Sequence, residues 1–198
     1  MRAFVARIFG FDREIERLKE KIRMLSWDPV FGMWTRGAFL HFCELMPRGT
    51  RSVVFLDFDA IHELNRREGY EKVDERVRRT FSIPFRTSDI IARWYSGDEI
   101  VILFDADPAG VHLKLQQLIR SARENGLSFH YAHGLWRVGQ EDIREVVGRL
   151  ASQVVAEKDR EAGVQATVEL LRAAAGRTAE PGNPLDKQPD RRPAELVR

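Results

Sequence analysis

Four carboxylates lie at the ends of two segments that have the pattern of β-strands. Asp57 and Asp59 close the apolar run VVFLDF, and Asp98 and Glu99 lie at the polar turn between IIARWY and EIVILF. Side chains alternate along a strand, so Asp57 and Asp59 share one face at its C-terminal end, where open α/β sheets bind their ligands. If the hairpin lies beside the first strand, we expect three or four carboxylates to converge with no lysine among them.

Acids gathered in this way repel one another, and divalent cations are the simplest means of neutralising them. Mg²⁺ prefers hard oxygen ligands, and phosphate oxygens can complete its coordination shell. A single aspartate at such a position would be read as a turn residue or a helix cap. Four acids at two adjacent strand ends favour a metal site instead.

Alternating helical and strand patterns position these acids. Helices are predicted over 35–46, 61–81 with a break at Gly69, 107–125 and 141–158, and strands over 51–59, 90–95, 99–104 and 127–135. This order predicts an α/β fold with a mixed central sheet flanked by helices. The continuous apolar run of the first long strand predicts that it is central and covered on both faces. Residues 163–175 fit either a terminal strand followed by a helix or a helix throughout.

An apolar seam runs along the first part of the chain. Apolar residues recur there at alternating spacings of four and three, at Phe4, Ile8, Phe11, Ile15, Leu18, Ile22 and Leu25. This heptad pattern predicts a parallel coiled coil that joins two copies of the chain through residues 4–25. A single amphipathic helix, folded onto its own domain or lying on a membrane surface, fits the same pattern.

Composition divides the chain into a helical stalk over 1–26, one domain over 27–175 and a tail over 176–198. The tail holds four of the eight prolines and few large apolar side chains, so we expect it to be disordered.

The 32 Lys and Arg residues nearly balance the 30 Asp and Glu residues, which argues against a nucleic-acid-binding protein. The apolar runs are too short for a membrane span, and the single cysteine, Cys43, fits the reducing cytoplasm.

Several segments, taken in order, resemble the GGDEF domain family of diguanylate cyclases. Ser96-Gly97-Asp98-Glu99-Ile100 is similar to the GGDEF signature in an SGDE form. Residues 27–36 resemble the D-x-L-T-G-L-x-N-R opening of the domain, and residues 55–65 resemble its L-D-x-D-x-F-K-x-x-N segment. Residues 132–135 and 155–158 resemble its S-x-G-x-A strand and the Y-x-A-K end of a helix. The resemblance implies a fold like that of GGDEF domains and nucleotide-cyclase palms, preceded here by the coiled-coil helix.

The resemblance also implies a reaction and a metal. In this family two GTP molecules, one per subunit of a pair of domains, condense into cyclic di-GMP with release of pyrophosphate. Asp57 and Glu99, with the carbonyl oxygen of Phe58, match the family's ligands for two Mg²⁺, and Mn²⁺ is an alternative ion. Asp98 matches the acid beside the attacking 3′-hydroxyl, so Asp98 and Glu99 are the implied catalytic residues.

The implied substrate-binding residues are Asn65, Asp74, Gly97, Lys158, Ala60 and Ile61. Asn65 and Asp74 match the pair that reads the guanine edge, where a carboxylate accepts hydrogen bonds that adenine cannot donate in the same pattern. Gly97 leaves room for phosphate and ribose, and Lys158 matches a lysine that faces the terminal phosphates. Ordinary polar residues on a helix surface are the alternative interpretation of Asn65 and Asp74, and a solvated helix lysine is that of Lys158.

A product-inhibition site is also implied, and several departures bear on activity. Arg86 and Asp89 resemble the family's R-x-x-D inhibitory site, although a pattern this short also arises by chance. His62 stands where the family usually has lysine, Tyr70 where it has histidine and Ala162 where it has arginine; residues 94–96 lengthen the hairpin tip by one residue. A degenerate domain that binds GTP or cyclic di-GMP without turnover is therefore the alternative to an active cyclase. A nucleotide cyclase with another product and a coiled-coil scaffold are further alternatives.

Overall fold

The structure is a computed structural model that describes residues 2–95 and 97–177. Of residues 2–12, 23 and 170–177 it gives only the helix to which they belong. The chain divides after Asp159 into two units, and the sheet and the candidate site lie in the first of them. The predicted tail lies outside the described residues from position 178 onward.

The order of helices and strands follows the sequence pattern closely. In chain order the elements are α1 (Arg2–Ser26), β1 (Trp27–Asp28), β2 (Met33–Trp34), α2 (Arg36–Glu44), β3 (Gly49–Phe58), α3 (Ile61–Glu68), α4 (Tyr70–Thr80), β4 (Ile90–Arg93), β5 (Glu99–Phe104), α5 (Pro108–Glu124), β6 (Phe129–Val138) and α6 (Ile143–Arg177). Gly69 separates α3 from α4, as predicted. Residues 163–175 are helical, so the alternative of a terminal strand is wrong. The stretch after Gly163 is rich in Ala and Leu, which are strong helix formers.

The described strands form one six-stranded sheet in the order β1-β2-β4-β5-β3-β6. Its neighbouring strands are antiparallel except for β2 and β4, which run parallel and pair at Trp34 and Ala92. The predicted mixed sheet is therefore confirmed, with a short parallel part. The register of β3 and β5 places Asp57 directly opposite Glu99.

β3 is covered on both faces, as its apolar sequence predicted. Val54, Leu56 and Phe58 pack with buried side chains of α3, α4 and α5. Val53 and Phe55 face the other way and pack with buried side chains of α2 and α6. Because side chains alternate along a strand, Asp57 belongs to the face that α6 covers.

The single cysteine, Cys43, lies in α2 and is buried in the cluster on the α6 side of the sheet. Burial is the main reason why the pKa of its thiol is raised to about 12, and the charge of Glu44 adds to the effect. The thiol is therefore protonated at neutral pH, and it packs as a small apolar group.

The C-terminal end of α1 is fixed to the start of α2 by hydrogen bonds and an aromatic contact. Thr35 caps α2 by accepting a hydrogen bond from the Ala38 N–H. Its hydroxyl donates to the carbonyl oxygen of Leu25 at 3.2 Å, and its N–H donates to that of Ser26 at 2.9 Å. Trp27 packs edge to face against Trp34, with 5.1 Å between ring centroids.

The apolar seam of α1 is exposed wherever its side chains are described. Ile15, Leu18, Ile22 and Leu25 are 47%, 49%, 63% and 69% exposed. The seam positions 4, 8 and 11 lie outside the described side chains. A helix folded with this face on its own domain is therefore wrong for residues 15–25. Among the described helices, none has the length and apolar character needed to cross a membrane.

Candidate active site

The ends of β3 and β5 bring two of the predicted acids together. Asp57 and Glu99 are register partners in the antiparallel pair. The N–H of Phe58 donates to the carbonyl oxygen of Asp98 at 3.0 Å, so the hairpin tip runs beside the end of β3. The alternation of side chains along the first strand and the hairpin before the second strand predicted that these acids would lie close together. The structure confirms this for Asp57 and Glu99.

A lysine lies among these carboxylates, and the prediction that none would is wrong. The Nζ of Lys158 is 2.8 Å from Oδ2 of Asp57 and 3.1 Å from Oδ1 of Asp59. It also lies 3.4 Å from the carbonyl oxygen of Phe58. The Lys158 side chain is 27% exposed, so it is not a solvated helix lysine. It lies 100 residues from Phe58 in sequence, and only the packing of α6 on β3 brings the two together.

The charges in this group shift one another's pKa values. Burial raises the pKa of Asp57, an effect that Asp98 and Asp59 increase and Lys158 opposes. Burial acts to raise the pKa of Asp59 as well, but hydrogen bonds from His130 and Lys158 outweigh it and the net shift is downward. Burial acts to lower the pKa of Lys158, but its hydrogen bonds to Asp57 and Asp59 raise it overall. At neutral pH Lys158 is therefore a cation held between two carboxylates.

His130 is a member of the group that the sequence analysis did not identify. It faces Asp57 across the β3–β6 pair, and its Nδ1 lies 2.7 Å from Oδ1 of Asp59. A single histidine in a strand gives no signal in the sequence, and only the register of β6 reveals the contact. Asp59 is thus a partner of His130 and Lys158 rather than a fourth member of an uncompensated group of acids.

The described residues contain no group of three or more Asp, Glu, His or Cys side chains arranged to hold a metal ion. The predicted ligand set is smaller than that, since it has two carboxylates, Asp57 and Glu99, and one backbone oxygen, that of Phe58. Two of these three groups already contact one cation, the ammonium of Lys158. These oxygens therefore fit a cation, and Mg²⁺ with phosphate oxygens could use the same ligands.

A cleft of about 420 Å³ opens beside the hairpin tip. Five of the predicted residues line it: Ile61, Asn65, Asp74, Gly97 and Asp98. His62 and Tyr70, two of the departures from the family pattern, also line it. The structure thus brings together residues that are far apart in sequence on α3, on α4 and in the hairpin.

Two groups of this cleft have features of a ligand-binding site. The Oδ1 atom of Asn65 is buried and has no hydrogen-bond partner among the described residues. Burial raises the pKa of Asp74, and the charges of Arg93 and Arg78 oppose that shift. A buried amide oxygen without a partner costs free energy that a ligand donor recovers on binding. The pair therefore suits a ligand that donates several hydrogen bonds from one edge.

Gly97 lies within ordinary contact distance of the side chains of Arg93 and Phe31. A Cβ atom there would meet Nη2 of Arg93 at 3.4 Å and Cζ of Phe31 at 3.8 Å. Arg93 is itself fixed, because its Nη1 donates to Oδ2 of Asp28 at 2.8 Å and its guanidinium lies 5.0 Å from the centre of the Phe31 ring. The absence of a side chain at Gly97 therefore keeps this side of the cleft open.

The start of α3 lies between the acid group and the cleft. Ala60, the residue before α3, has φ 54° and ψ 22°, and it is the only residue other than glycine with positive φ in the described part of the chain. This left-handed conformation costs about 1–2 kcal/mol. Ala60 supplies no side-chain cap, so the first N–H groups of the helix, from Ile61 onward, are available to an anion such as phosphate.

The predicted inhibitory pair lies at the start of β4, away from the cleft. Asp89 accepts a hydrogen bond from the N–H of Arg86 at 2.9 Å and one from the N–H of Asp105 at 3.4 Å. The Nη1 of Arg86 donates to the carbonyl oxygen of Asp105 at 2.8 Å. Both side chains therefore help to join the start of β4 to the segment after β5.

Comparisons of the sequence and of the structure with known proteins gave different results. No protein-family model matches the chain, and no curated protein matches its sequence. Solved structures do match. The coiled coil and GGDEF domain of DgcB from Caulobacter crescentus, in complex with c-di-GMP, has a TM-score of 0.62 at 19% identity, over 78% of this chain and 93% of that one.

Two further structures show the same similarity. The diguanylate cyclase SiaD from Pseudomonas aeruginosa, in complex with its activator SiaC, has a TM-score of 0.60 at 20% identity, over 79% of this chain and 67% of that one. A microbial GGDEF domain with cyclic di-GMP has a TM-score of 0.58 at 21% identity, over 69% of this chain and 94% of that one. These similarities establish that the chain has the fold of GGDEF domains, as the sequence predicted.

Proposed function

We propose that this chain is a Mg²⁺-dependent diguanylate cyclase, which condenses two GTP molecules into cyclic di-GMP and releases pyrophosphate. The observation that carries the proposal is the position of the hairpin tip. Gly97 and Asp98 line the cleft together with Asn65 and Asp74. The next residue, Glu99, is the register partner of Asp57. A base-binding cleft and a cation-binding acid pair thus lie on either side of one short turn.

Asn65 and Asp74 bind the guanine base. The carboxylate of Asp74 accepts hydrogen bonds from the ring N–H and the amino group of guanine, a pattern that adenine does not offer. The buried Oδ1 of Asn65, which has no partner among the described residues, accepts a further hydrogen bond from the substrate. Selection of GTP over ATP follows from these two acceptors.

Asp57, Glu99 and the carbonyl oxygen of Phe58 hold Mg²⁺, and Mn²⁺ can replace it. The ion neutralises charge on the phosphates of bound GTP. Mg²⁺ at this site would use oxygens of Asp57 and Phe58 that Lys158 contacts in the metal-free chain, and Lys158 would then be available to the terminal phosphates of GTP. The N–H groups at the start of α3, beside Ala60 and Ile61, bind phosphate oxygens.

The reaction consists of two equivalent transfers. In each, the 3′-oxygen of one GTP forms a bond to the α-phosphorus of the other, and the bond from that phosphorus to the oxygen bridging to the β-phosphate breaks. Pyrophosphate leaves, and Asp98 accepts the proton of the 3′-hydroxyl. Positioning of the two nucleotides supplies most of the acceleration, because the protein forms no covalent bond to either.

Two domains must face each other for this reaction, and we assign their association to residues 4–25. A parallel coiled coil of two chains raises the concentration of one domain near the other. The exposed seam residues Ile15, Leu18, Ile22 and Leu25 support this assignment. GTP as substrate and the reduced, buried Cys43 fit a cytoplasmic protein.

One observation favours a second function. Lys158 already neutralises Asp57, and His62 and Tyr70 line the cleft in place of the family's usual lysine and histidine. A domain in which Mg²⁺ does not displace Lys158 would bind GTP or cyclic di-GMP without turnover. Such a protein would act as a receptor for either nucleotide.

Incubation of the purified protein with GTP and Mg²⁺, followed by mass analysis of the products, distinguishes the two functions. We expect cyclic di-GMP and pyrophosphate from the unaltered chain and neither from Glu99→Gln. Glu124→Gln, which removes an exposed charge on α5, is the matched control and retains activity. Nucleotide that binds without turnover supports the receptor. A chain that binds neither GTP nor cyclic di-GMP contradicts both functions.

A further inference from the structure

We propose that Arg36 is a positioning residue for Glu99, and that it acts through Tyr95 in the lengthened hairpin tip. The catalytic consequence of this inference rests on the proposed function, whereas the geometry stands by itself. Arg36 is the first residue of α2 and lies outside the cleft, so it does not touch the expected substrate.

The guanidinium of Arg36 fixes two aromatic rings of the hairpin. Its Cζ lies 4.8 Å from the ring centre of Trp94 and 4.2 Å from that of Tyr95. Its Nη2 donates a hydrogen bond to Oη of Tyr95 at 2.8 Å. The two rings also contact each other edge to face, with 73° between their planes and 5.7 Å between centroids. Cation–π contact and a hydrogen bond together hold Tyr95 in one orientation.

Tyr95 in turn holds the carboxylate of Glu99. Its backbone N–H donates to Oε2 of Glu99 at 3.2 Å. The N–H of Trp94 donates to the backbone carbonyl oxygen of the same glutamate at 2.8 Å, which closes the hairpin. The position of the Tyr95 backbone therefore sets the direction in which Glu99 faces Asp57.

This contact explains how the hairpin accommodates its extra residue. The Tyr95 side chain is 69% exposed, so burial in the core does not fix it. A longer turn has more conformations available to it. Because this turn leads into Glu99, the proposed metal ligand, it must be held in the conformation in which Glu99 faces Asp57. Arg36 supplies that restriction from a rigid element, since α2 is capped by Thr35 and packed against the sheet.

Lysine cannot replace arginine in this role. A lysine keeps the positive charge, but its compact ammonium lacks the broad guanidinium whose Cζ lies near both rings while Nη2 donates to Oη of Tyr95. Arg36→Lys is therefore the informative substitution. Tyr95→Ala tests the same contact from the other side, and because Tyr95 is exposed its removal leaves the core intact. Arg144→Lys, at an exposed position on α6, is the matched control.

Three measurements test the proposal on the full chain. The first is the backbone amide proton shift of residue 95 in ¹H–¹⁵N spectra without nucleotide. The second is the Mn²⁺ affinity in the presence of GTP, and the third is kcat and KM for cyclic di-GMP formation. In Arg36→Lys and Tyr95→Ala we expect the amide proton to move upfield, toward its position in Glu99→Gln. We expect Mn²⁺ affinity to fall severalfold, and kcat to fall about tenfold with KM for GTP changed less than about twofold.

An unmoved amide proton together with unchanged Mn²⁺ affinity in both variants would overturn the proposal. So would an Arg144→Lys control that shows the same losses, because the effect would then be general. If the unaltered chain forms no cyclic di-GMP, the proposed function fails. The amide shift and the Mn²⁺ affinity then still decide the role of Arg36.

Discussion

The Nζ of Lys158 lies 2.8 Å from Oδ2 of Asp57, so a cation that belongs to the chain already contacts the carboxylate that our proposal assigns to Mg²⁺. The contact is partly shielded from water, since the two side chains are 27% and 21% exposed. Removing the cation leaves Asp57 close to Asp59, which keeps only its contact with His130 among those described above, whereas adding Mg²⁺ supplies a replacement cation. The stability of the protein should therefore report on the metal site even without turnover.

Lys158→Met should lower the free energy of unfolding by about 2 kcal/mol in the absence of divalent ions, because charge-assisted hydrogen bonds to two carboxylates are lost. Saturating Mg²⁺ should stabilise this variant more than it stabilises the unaltered chain, since the ion binds the folded state at the vacated oxygens. Denaturant unfolding with and without Mg²⁺ measures both effects. Lys72→Met, which removes the ion pair of an exposed lysine with Glu68, should cost less than about 0.5 kcal/mol and show the same Mg²⁺ response as the unaltered chain. Equal Mg²⁺ responses in all three proteins would refute a cation site at Asp57.

The guanine contact of Asp74 should depend on pH. Burial raises the pKa of this carboxyl, and only its ionised form offers an acceptor oxygen to each of the two guanine donors, the ring N–H and the amino group. Affinity for guanosine should therefore fall as the pH is lowered through this raised pKa, by up to about tenfold per pH unit. Guanosine is the suitable probe because it has no phosphates and needs no metal. Asp74→Asn should bind more weakly and without this pH dependence; a variant with the unaltered pH profile would mean that another group titrates.

Ala60→Gly should stabilise the protein slightly. Glycine adopts the left-handed conformation of this residue without the cost of about 1–2 kcal/mol that alanine bears. The greater freedom of glycine in the unfolded chain cancels part of this gain, and we expect a net rise of about 0.5 kcal/mol in the free energy of unfolding. The same change at the exposed helical Ala156 should lower it by about 1 kcal/mol. Chemical denaturation of both variants measures the two changes in the free energy of unfolding, which should have opposite signs. Equal losses in both variants would contradict the backbone strain at Ala60.

Leu18→Glu combined with Ile22→Glu should convert a dimer into a monomer. Both side chains are exposed in the single chain, so the substitutions should leave the domain folded while placing like charges in the proposed coiled coil. Light scattering after gel filtration gives the mass, and the rate of cyclic di-GMP formation should fall with the dimer fraction. Lys21→Glu changes a charge beside the seam and should leave the mass unchanged. A double variant that remains dimeric would place the interface elsewhere.

The sequence predicted the fold and part of the candidate site, and the physical reason differs from residue to residue. Alternation along β3 and the turn before Glu99 together predicted that Asp57 and Glu99 would meet, since both signals are local. The cleft residues Asn65 and Asp74 came from the spacing of a motif that resembles the GGDEF family. The length of α6 could not be decided, because residues 163–175 suit helix and strand about equally by periodicity.

The contacts that no pattern predicted are those between side chains remote in sequence. Lys158 reaches Asp57 from α6, His130 reaches Asp59 from β6, and Arg36 reaches Tyr95 from α2. Each depends on how a helix or strand packs against the sheet rather than on the residues around it. For this reason the sequence correctly indicated a site rich in acids but not the cation that lies within it.

The burial of Cys43 has a practical consequence for these experiments. A thiol with a pKa raised to about 12 carries almost no thiolate at neutral pH, and thiolate is the form that alkylating labels attack. A cysteine introduced on the exposed face of α1 would therefore be the one reactive thiol of the folded chain, and a spin label there would report the distance between paired helices. In the unaltered chain, the rate at which Cys43 becomes modified reports how often α2 detaches from the sheet.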